Sequence, residues 1–139
     1  MFYEPKNGHP FKIDPYKALV FPRPIGWISS VSKKGIPNLA PYSYFNAVAD
    51  EPPQVMFCSN GDSAYGGYKD SLANILSTKE FVVNFATANT RDAMNISSSN
   101  YEPNEDEFVA ANLKKRKSKL VKPPSVNDSP VNLECKLLK

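Results

Sequence analysis

The chain has 139 residues, 41% hydrophobic and 12% aromatic, a composition that suits one globular domain spanning residues 1–139 and excludes a disordered chain. Much of its formal net charge of +3 comes from a basic cluster within residues 114–122. Because no aromatic residues are interleaved with this cluster, it is more typical of a solvated connector than of a nucleic-acid-binding surface. No segment reaches the roughly 18 apolar residues of a membrane helix and the N-terminus lacks a signal-peptide pattern, so we expect a cytoplasmic protein that binds neither nucleic acid nor membranes.

The histidine and cysteine content narrows the possible chemistry. The single histidine, His9, lies on a proline-rich arm where we expect it to face solvent, so a His-based metal site or a Ser-His-Asp triad has no basis. Cys58 and Cys135 lie in separate apolar runs without metal-binding or disulfide spacing, and we predict buried free thiols. We therefore expect neither a bound metal nor a catalytic side chain of these types.

The first half of the chain predicts an arm followed by a β-hairpin. Residues 1–24 indicate an extended arm with one helical turn from Asp14 to Leu19, where Asp14 and Pro15 fit the N-cap and first positions. β-branched and aromatic residues predict a strand over 25–31, a turn containing Gly35 and a second strand over 39–45. The Pro-Pro pair at 52–53 then interrupts the chain before a short strand in "QVMFCS".

The second half alternates short helices and strands. "KDSLANILST" predicts a helix capped by Asp70 or Ser71, and "EFVVNFAT" predicts a strand. "TRDAMNISSSNY" and "NEDEFVAANL" predict two further helices, the latter a surface helix capped by Asn104 with its three acidic residues, 105–107, in the first turn. A lysine-rich connector and a proline-rich loop lead to a final strand with one apolar face, formed by Val131, Leu133, Cys135 and Leu137. Short strands separated by small helices favour a β-barrel or sandwich over a parallel α/β fold.

A possible anion site lies in "GDSAYGGYKDSLAN". Gly66 and Gly67 provide a flexible approach, Lys69 a cation, and Asp70 and Ser71 the start of a helix whose first N–H groups are free. A phosphate would fit this arrangement. An ordinary capped helix preceded by a turn explains the same residues, and the sequence alone leaves this alternative open.

A second possible site lies in "PNLAPYSYFN". Small and polar residues here would allow a flat heteroaromatic ring to approach the backbone; they are Asn38, Ala40, Pro41, Ser43 and Asn46. We expect Pro41 to disrupt the strand ladder and leave backbone groups free, while Trp27, Tyr42, Tyr44 and Phe45 supply aromatic walls. The alternative is a bulged edge strand with core aromatic residues.

Seven motifs together give the sequence a family resemblance. "RPIGWISSVS", "GIPNLAPYSYFN", "PPQVMFCS", "KDSLANI", "EFVVNFA", "DEFVAANL" and "PVNLECKL" occur in the order and spacing of the flavin reductase-like domain family, which includes flavoredoxin-type proteins. The resemblance implies a mainly β fold, an FMN-binding split β-barrel with short inserted helices, and a homodimer with flavin sites near the subunit interface. Relatives usually continue beyond the last strand seen here, so we expect a barrel that is incomplete at its C-terminus.

The same resemblance implies the cofactor-binding residues. The segment from Asn38 to Ser43 would lie along the flavin ring, with Ser29, Ser30 and Asn46 nearby. Its expected contact residues are Asn38, Ala40, Pro41, Tyr42 and Ser43. Lys69, Asp70, Ser71 and Asn74 match the phosphate-binding segment of the family, with serine at position 71 where many relatives carry threonine.

The resemblance leads to three functional hypotheses. The first is an FMN-dependent oxidoreductase that passes a hydride or electrons from NAD(P)H to flavin or a small acceptor, and needs no acid, base or nucleophile from the protein. The second is a flavin-binding module without turnover. The third is a dimerising remnant without a cofactor.

Overall fold

The computed structural model describes residues 2–103 and 105–138. Its largest sheet has four antiparallel strands in the order β2-β1-β5-β8. These strands are β1 (Gly26–Val31), β2 (Pro37–Tyr42), β5 (Glu80–Asn84) and β8 (Asn132–Lys136). β1 and β2 form the predicted hairpin, with Ser29 opposite Leu39, and Gly35 takes a positive φ of 83° in the turn that joins them.

Two smaller two-stranded sheets complete the β structure. β3 (Phe45–Asp50) pairs with β4 (Pro53–Phe57), and the register shifts between Ala47 and Ala49. The sequence did not predict β3 because Asn, Ala and Asp are weak strand formers. β6 (Lys115–Arg116) and β7 (Ser125–Val126) form a short ladder inside the segments predicted as connector and loop.

The described residues include four α-helices, of which the first precedes β1 and the others lie between strands. They are α1 (Pro15–Leu19), α2 (Asp70–Thr78), α3 (Arg91–Ile96) and α4 (Glu107–Ala110). α1 is confirmed with its cap, because the Asp14 carboxylate accepts from Tyr16 N. The cap predicted for α2 is wrong: Lys69 occupies the N-cap position and makes no side-chain capping bond. None of the helices in the described part of the chain is long and apolar enough to cross a membrane.

The N-terminus of α4 differs from the prediction. Asp106 caps this helix by accepting from Phe108 N, so it precedes the first turn instead of lying within it. The predicted cap, Asn104, lies outside the described residues. The prediction of a surface helix is also wrong, because Phe108 is fully buried and Glu107 nearly so.

The sheet is buried on both faces of β1. Successive side chains of a strand point to opposite faces, so Trp27 and Ile28 enter different clusters. One cluster contains Ile28, Tyr42, Ile75, Phe81 and Val83; the other contains Trp27, Leu39, Phe108 and Val126. Leu133, Cys135 and Leu137 pack against the first cluster as predicted, whereas Val131 precedes β8 and is 46% exposed.

Asn84 joins the strands through a buried amide. Its Nδ2 donates to Trp27 O at 3.0 Å and to Ser29 Oγ at 3.1 Å. Its Oδ1 accepts from Val126 N at 2.8 Å and from Asn132 Nδ2 at 2.7 Å. A fully buried amide therefore has its hydrogen-bonding capacity satisfied while it links β1, β5, β7 and β8.

The cysteines are free thiols, as predicted, but the prediction that both are buried is wrong. Cys58 follows the end of β4 and is exposed, while Cys135 is half-buried. Burial raises the pKa of the Cys135 thiol to about 11, which keeps it protonated at neutral pH. His9 is exposed, as expected.

Candidate functional site

A cleft with a volume of about 140 Å³ lies beside the outer edge of β2. The start of α2, the first residue of α4 and two loops, 62–65 and 97–101, form its other walls. The sequence-predicted residues that line it are Asn38, Ala40, Pro41, Tyr42, Lys69, Asp70 and Ser71. The fold thus brings the two segments singled out in the sequence together in one cleft.

Three other predicted residues lie inside the fold. Ser29 and Ser30 are fully buried on β1, and the Ser29 hydroxyl donates to Pro124 O at 2.6 Å. Asn74 Nδ2 donates to Ser30 Oγ at 3.2 Å and so ties α2 to β1. The structure places these side chains in contacts between secondary-structure elements rather than along the cleft.

Two more predicted residues lie near the second hairpin. Ser43 follows β2, and its hydroxyl accepts from Arg23 Nε at 3.3 Å. Asn46 is exposed on β3, where its side-chain oxygen accepts from Ala47 N at 2.9 Å. Neither residue lines the cleft.

The predicted disruption of the ladder at Pro41 is wrong. β2 pairs with β1 without interruption from Tyr42, opposite Gly26, to Pro37, opposite Val31. Leu39 N points away from β1, because it donates to Glu107 Oε2 at 2.9 Å. Alternate residues of a strand direct their backbone groups to the same side, so Pro37 and Pro41 occupy positions whose N–H would also point outward. The outer edge of β2 therefore offers carbonyl acceptors, while its N–H groups are absent or already bonded.

A chain of polar groups crosses the floor of the cleft from α4 to α2. With its nitrogen turned toward α4, the Asn38 amide donates to Glu107 Oε1 at 3.0 Å and accepts from Ser71 Oγ at 2.8 Å. Asn38 is 5% exposed and Ser71 is 1% exposed. These bonds satisfy buried polar groups that would otherwise be costly to desolvate.

Glu107 is the acid most affected by this environment. Burial raises the pKa of its carboxyl to about 7, and Asp70 and Asp106 add to the rise, while the backbone N–H groups of Leu39 and of Glu107 itself oppose it. Burial likewise raises the pKa of Asp70. Sequence reasoning missed Glu107 because an acid in the first turn of a helix is normally explained by the helix dipole. The apolar residue that follows Glu107, Phe108, is the one local signal that the first turn of α4 faces the core.

The Tyr42 hydroxyl lies near the same network. Burial raises the pKa of its phenol, and the nearby Ser71 and Ser59 side chains oppose this rise. The cleft thus combines a buried phenol and a buried carboxyl with the hydroxyl of Ser71.

The start of α2 provides the positive end of the cleft. Lys69 lines the cleft and is half-buried, and α2 begins directly after it without a side-chain cap. The first N–H groups of a helix and a nearby ammonium group both favour an anion. Asp62, Asp70 and Glu107 also line the cleft, and negative charge on these acids opposes a bound anion.

Comparisons with known proteins agree on one family. The sequence profile of the flavin reductase like domain matches residues 18–139. An uncharacterized protein from Aquifex aeolicus is 47% identical over 122 residues, which cover 87% of this chain and 61% of that relative. The chain spans 53% to 61% of the length of five curated relatives that it matches.

Solved structures show the same architecture. Nitrilotriacetate monooxygenase component B from Bacillus cereus matches with a TM-score of 0.87 and 34% identity, over 100% of this chain and 69% of that one. A flavin reductase with a split-barrel domain from Shewanella frigidimarina matches with a TM-score of 0.76 and 20% identity, over 84% of this chain and 56% of that one. The predicted fold, a mainly β split barrel whose sheets do not close and whose helices are short, is confirmed.

Proposed function

This chain belongs to the flavin reductase-like domain family, and from this premise we propose that it binds FMN in the cleft between β2 and α2. We further propose that it passes a hydride or electrons from NAD(P)H through that FMN to flavin or a small acceptor. The observation that carries the proposal is the convergence of Lys69 and the uncapped start of α2 on the cleft that borders β2.

The residues of the cleft fit a phosphorylated flavin. Lys69 and the first N–H groups of α2 form a donor set suited to a phosphate. Ala40, Pro41 and Tyr42 offer small and aromatic surfaces beside carbonyl acceptors, which suit a planar ring that carries an N–H group. Bound FMN would supply the hydride and electron chemistry, while the protein binds and orients it.

The size of the cleft supports a homodimer. Ligand pockets usually measure about 300–1,000 Å³, whereas this cleft measures about 140 Å³. One chain would therefore enclose only part of an FMN molecule. We propose that a second copy covers the remainder, so that the flavin lies near the subunit interface.

Replacing Lys69 tests the phosphate assignment. Lys69→Ala should weaken FMN binding by about 1–3 kcal/mol, or about 5- to 150-fold, because a charge-assisted contact is lost. Lys136→Ala is the matched control, since Lys136 is exposed on β8 at the opposite edge of the sheet. FMN fluorescence quenching gives both affinities. An unchanged affinity in folded Lys69→Ala would show that the phosphate binds elsewhere.

A flavin-binding module without turnover is the second candidate. The charges of the cleft favour this module over an enzyme that also holds a dinucleotide there. Among the described residues that line the cleft, Lys69 is the single cation, against three acids. Steady-state oxidation of NADH and NADPH by the FMN-loaded protein separates the two functions. Turnover with either donor supports the oxidoreductase, and bound FMN without turnover supports the module.

A further inference from the structure

The polar chain from Glu107 through Asn38 to Ser71 contains one amide, that of Asn38, with two conceivable orientations, of which the first satisfies all its partners when Glu107 is ionised. In the first, the Asn38 nitrogen donates to Glu107 Oε1 over 3.0 Å, and the Ser71 hydroxyl donates to the Asn38 oxygen over 2.8 Å. In the second, the amide is reversed, so that its nitrogen donates to Ser71 Oγ over the same 2.8 Å but lies 3.2 Å from Leu39 N, which is another donor. The Ser71 hydroxyl then has its hydrogen free for another acceptor.

The protonation of Glu107 selects between these two states. An ionised carboxylate can only accept hydrogen bonds, so it requires the amide nitrogen of Asn38 to face it. A protonated carboxyl can donate to the Asn38 oxygen from Oε1 and still accept from Leu39 N at Oε2. Protonation therefore allows the reversed amide, which frees the hydrogen of the Ser71 hydroxyl.

We propose that Glu107 is a positioning residue that couples phosphate binding in the cleft to the uptake of one proton. The proton comes from solvent, adds to the Glu107 carboxylate and is retained while the phosphate is bound. The reversed Asn38 amide then leaves Ser71 to donate its hydroxyl hydrogen to the phosphate. This inference rests on the proposed binding of FMN and adds to it a regulation by pH that the fold builds into the same cleft.

The charges around Glu107 act in the same direction as the hydrogen bonds. α2 contributes Asp70, whose negative charge opposes ionisation of Glu107. Asp106, the N-cap of α4, has the same sign, but it is paired with Lys115 of β6. β2 contributes the buried Tyr42 phenol. Asp62 and Lys69 complete the charged groups that line the cleft. A phosphate brought into this setting adds further negative charge, so its arrival favours the neutral form of Glu107.

The direction of the pH effect follows from linkage. The carboxyl of Glu107 has a pKa of about 7 without ligand, and a bound anion raises that pKa further. FMN affinity is therefore highest below pH 7 and falls as the pH rises above it. The phosphate group itself has a second pKa of about 6 and is a dianion above pH 7, so its own ionisation does not cause a decline there.

The test compares FMN affinity at pH 7.0 and 8.5 in the wild type, Glu107→Gln and Asp62→Asn, measured by fluorescence quenching. We expect the wild-type Kd to rise about tenfold over this interval, close to the limit for one linked proton. Glu107→Gln imitates the protonated carboxyl, since its amide can donate to Asn38 and accept from Leu39 N, so its Kd should stay constant. Asp62→Asn removes a charge from the cleft without touching the polar chain, and we expect it to keep the wild-type slope.

Proton uptake provides an independent readout in the wild type. Titration calorimetry at pH 7.5 in buffers of different ionisation enthalpy should show uptake of about 0.7 proton per FMN, because a carboxyl with a pKa of about 7 is already about one-quarter protonated at this pH; Glu107→Gln should show none. A constant wild-type affinity, a slope retained in Glu107→Gln or a slope lost in Asp62→Asn would each overturn the inference. Absence of FMN binding at every pH would instead refute the proposed function, which is a distinguishable result.

Discussion

Replacing Glu107 by glutamine should change how the stability of the protein without ligand depends on pH. The native carboxyl keeps its proton up to a pKa of about 7, whereas its ordinary value is 4.5. Between these values the native state binds more protons than the unfolded state, so the free energy of unfolding falls as the pH rises. The loss is nearly complete at about pH 8, one unit above the native pKa. Glutamine is neutral throughout and should not show this loss.

The magnitude follows from the size of the pKa shift. Each unit corresponds to about 1.4 kcal/mol, which gives an upper value of about 3 kcal/mol for Glu107, and solvent screening lowers this toward about 2 kcal/mol. Glutamine retains an acceptor for Leu39 N and a donor for Asn38, so the substitution breaks few contacts. We therefore expect the variant to be more stable than the wild type at pH 8, by about 1–2 kcal/mol, and of similar stability at pH 5.

Urea denaturation of both proteins at pH 5, 6, 7 and 8 measures this difference directly. Other titrating groups affect both proteins alike, so the difference between the two free energies of unfolding isolates Glu107. Asp62→Asn serves as the control for loss of an acidic charge from the cleft. If the difference between the wild type and Glu107→Gln is the same at every pH, the carboxyl does not titrate as its burial requires, and the reasoning fails.

Two further substitutions test the packing that supports the cleft. Gly26→Ala would place the new Cβ 2.6 Å from Phe45 Cδ2, so it should lower the free energy of unfolding by about 1–3 kcal/mol in urea denaturation. Adding Phe45→Leu should recover part of this loss. If the double variant recovers no stability, the Phe45 ring is not the cause of the loss. Asn84→Ala should lower the free energy of unfolding by about 2–4 kcal/mol, because the buried Val126 N–H loses its acceptor. A thermal midpoint within 2 °C of the wild type corresponds to about 0.5 kcal/mol or less and would contradict this role of Asn84.

The sequence was a good guide where local chemistry determines structure. The structure confirms three elements that were predicted from local features. These features are the Asp14-Pro15 cap of α1, Gly35 in the turn of the first hairpin, and the helical spacing of apolar residues in α2. β3 was missed because its exposed residues carry little strand propensity, and pairing with β4 defines it instead. The residues of a strand do not by themselves show which other segment the strand pairs with.

The same limit applies to the site. Lys69, Asp70 and Ser71 could be selected from sequence because they surround a helix start, and they do line the cleft. Glu107 could not be selected, because its contacts with Leu39 and Asn38 join residues about 68 positions apart in the chain. Its inward orientation follows from the burial of Phe108, which is a property of the assembled core.

The proline pattern of β2 also limits how this sheet can be extended. A strand that adds to the edge of a sheet needs alternating donors and acceptors along that edge. The outer edge of β2 presents the carbonyls of Pro37, Leu39 and Pro41, while its one N–H group, that of Leu39, is already bonded to the Glu107 carboxyl. Edge-to-edge joining of molecules is therefore blocked on this side, which protects the fold from one common route to aggregation. The second copy that we propose to cover the flavin would therefore reach the cleft with a loop or with a face of its sheet, because it cannot add a strand to β2.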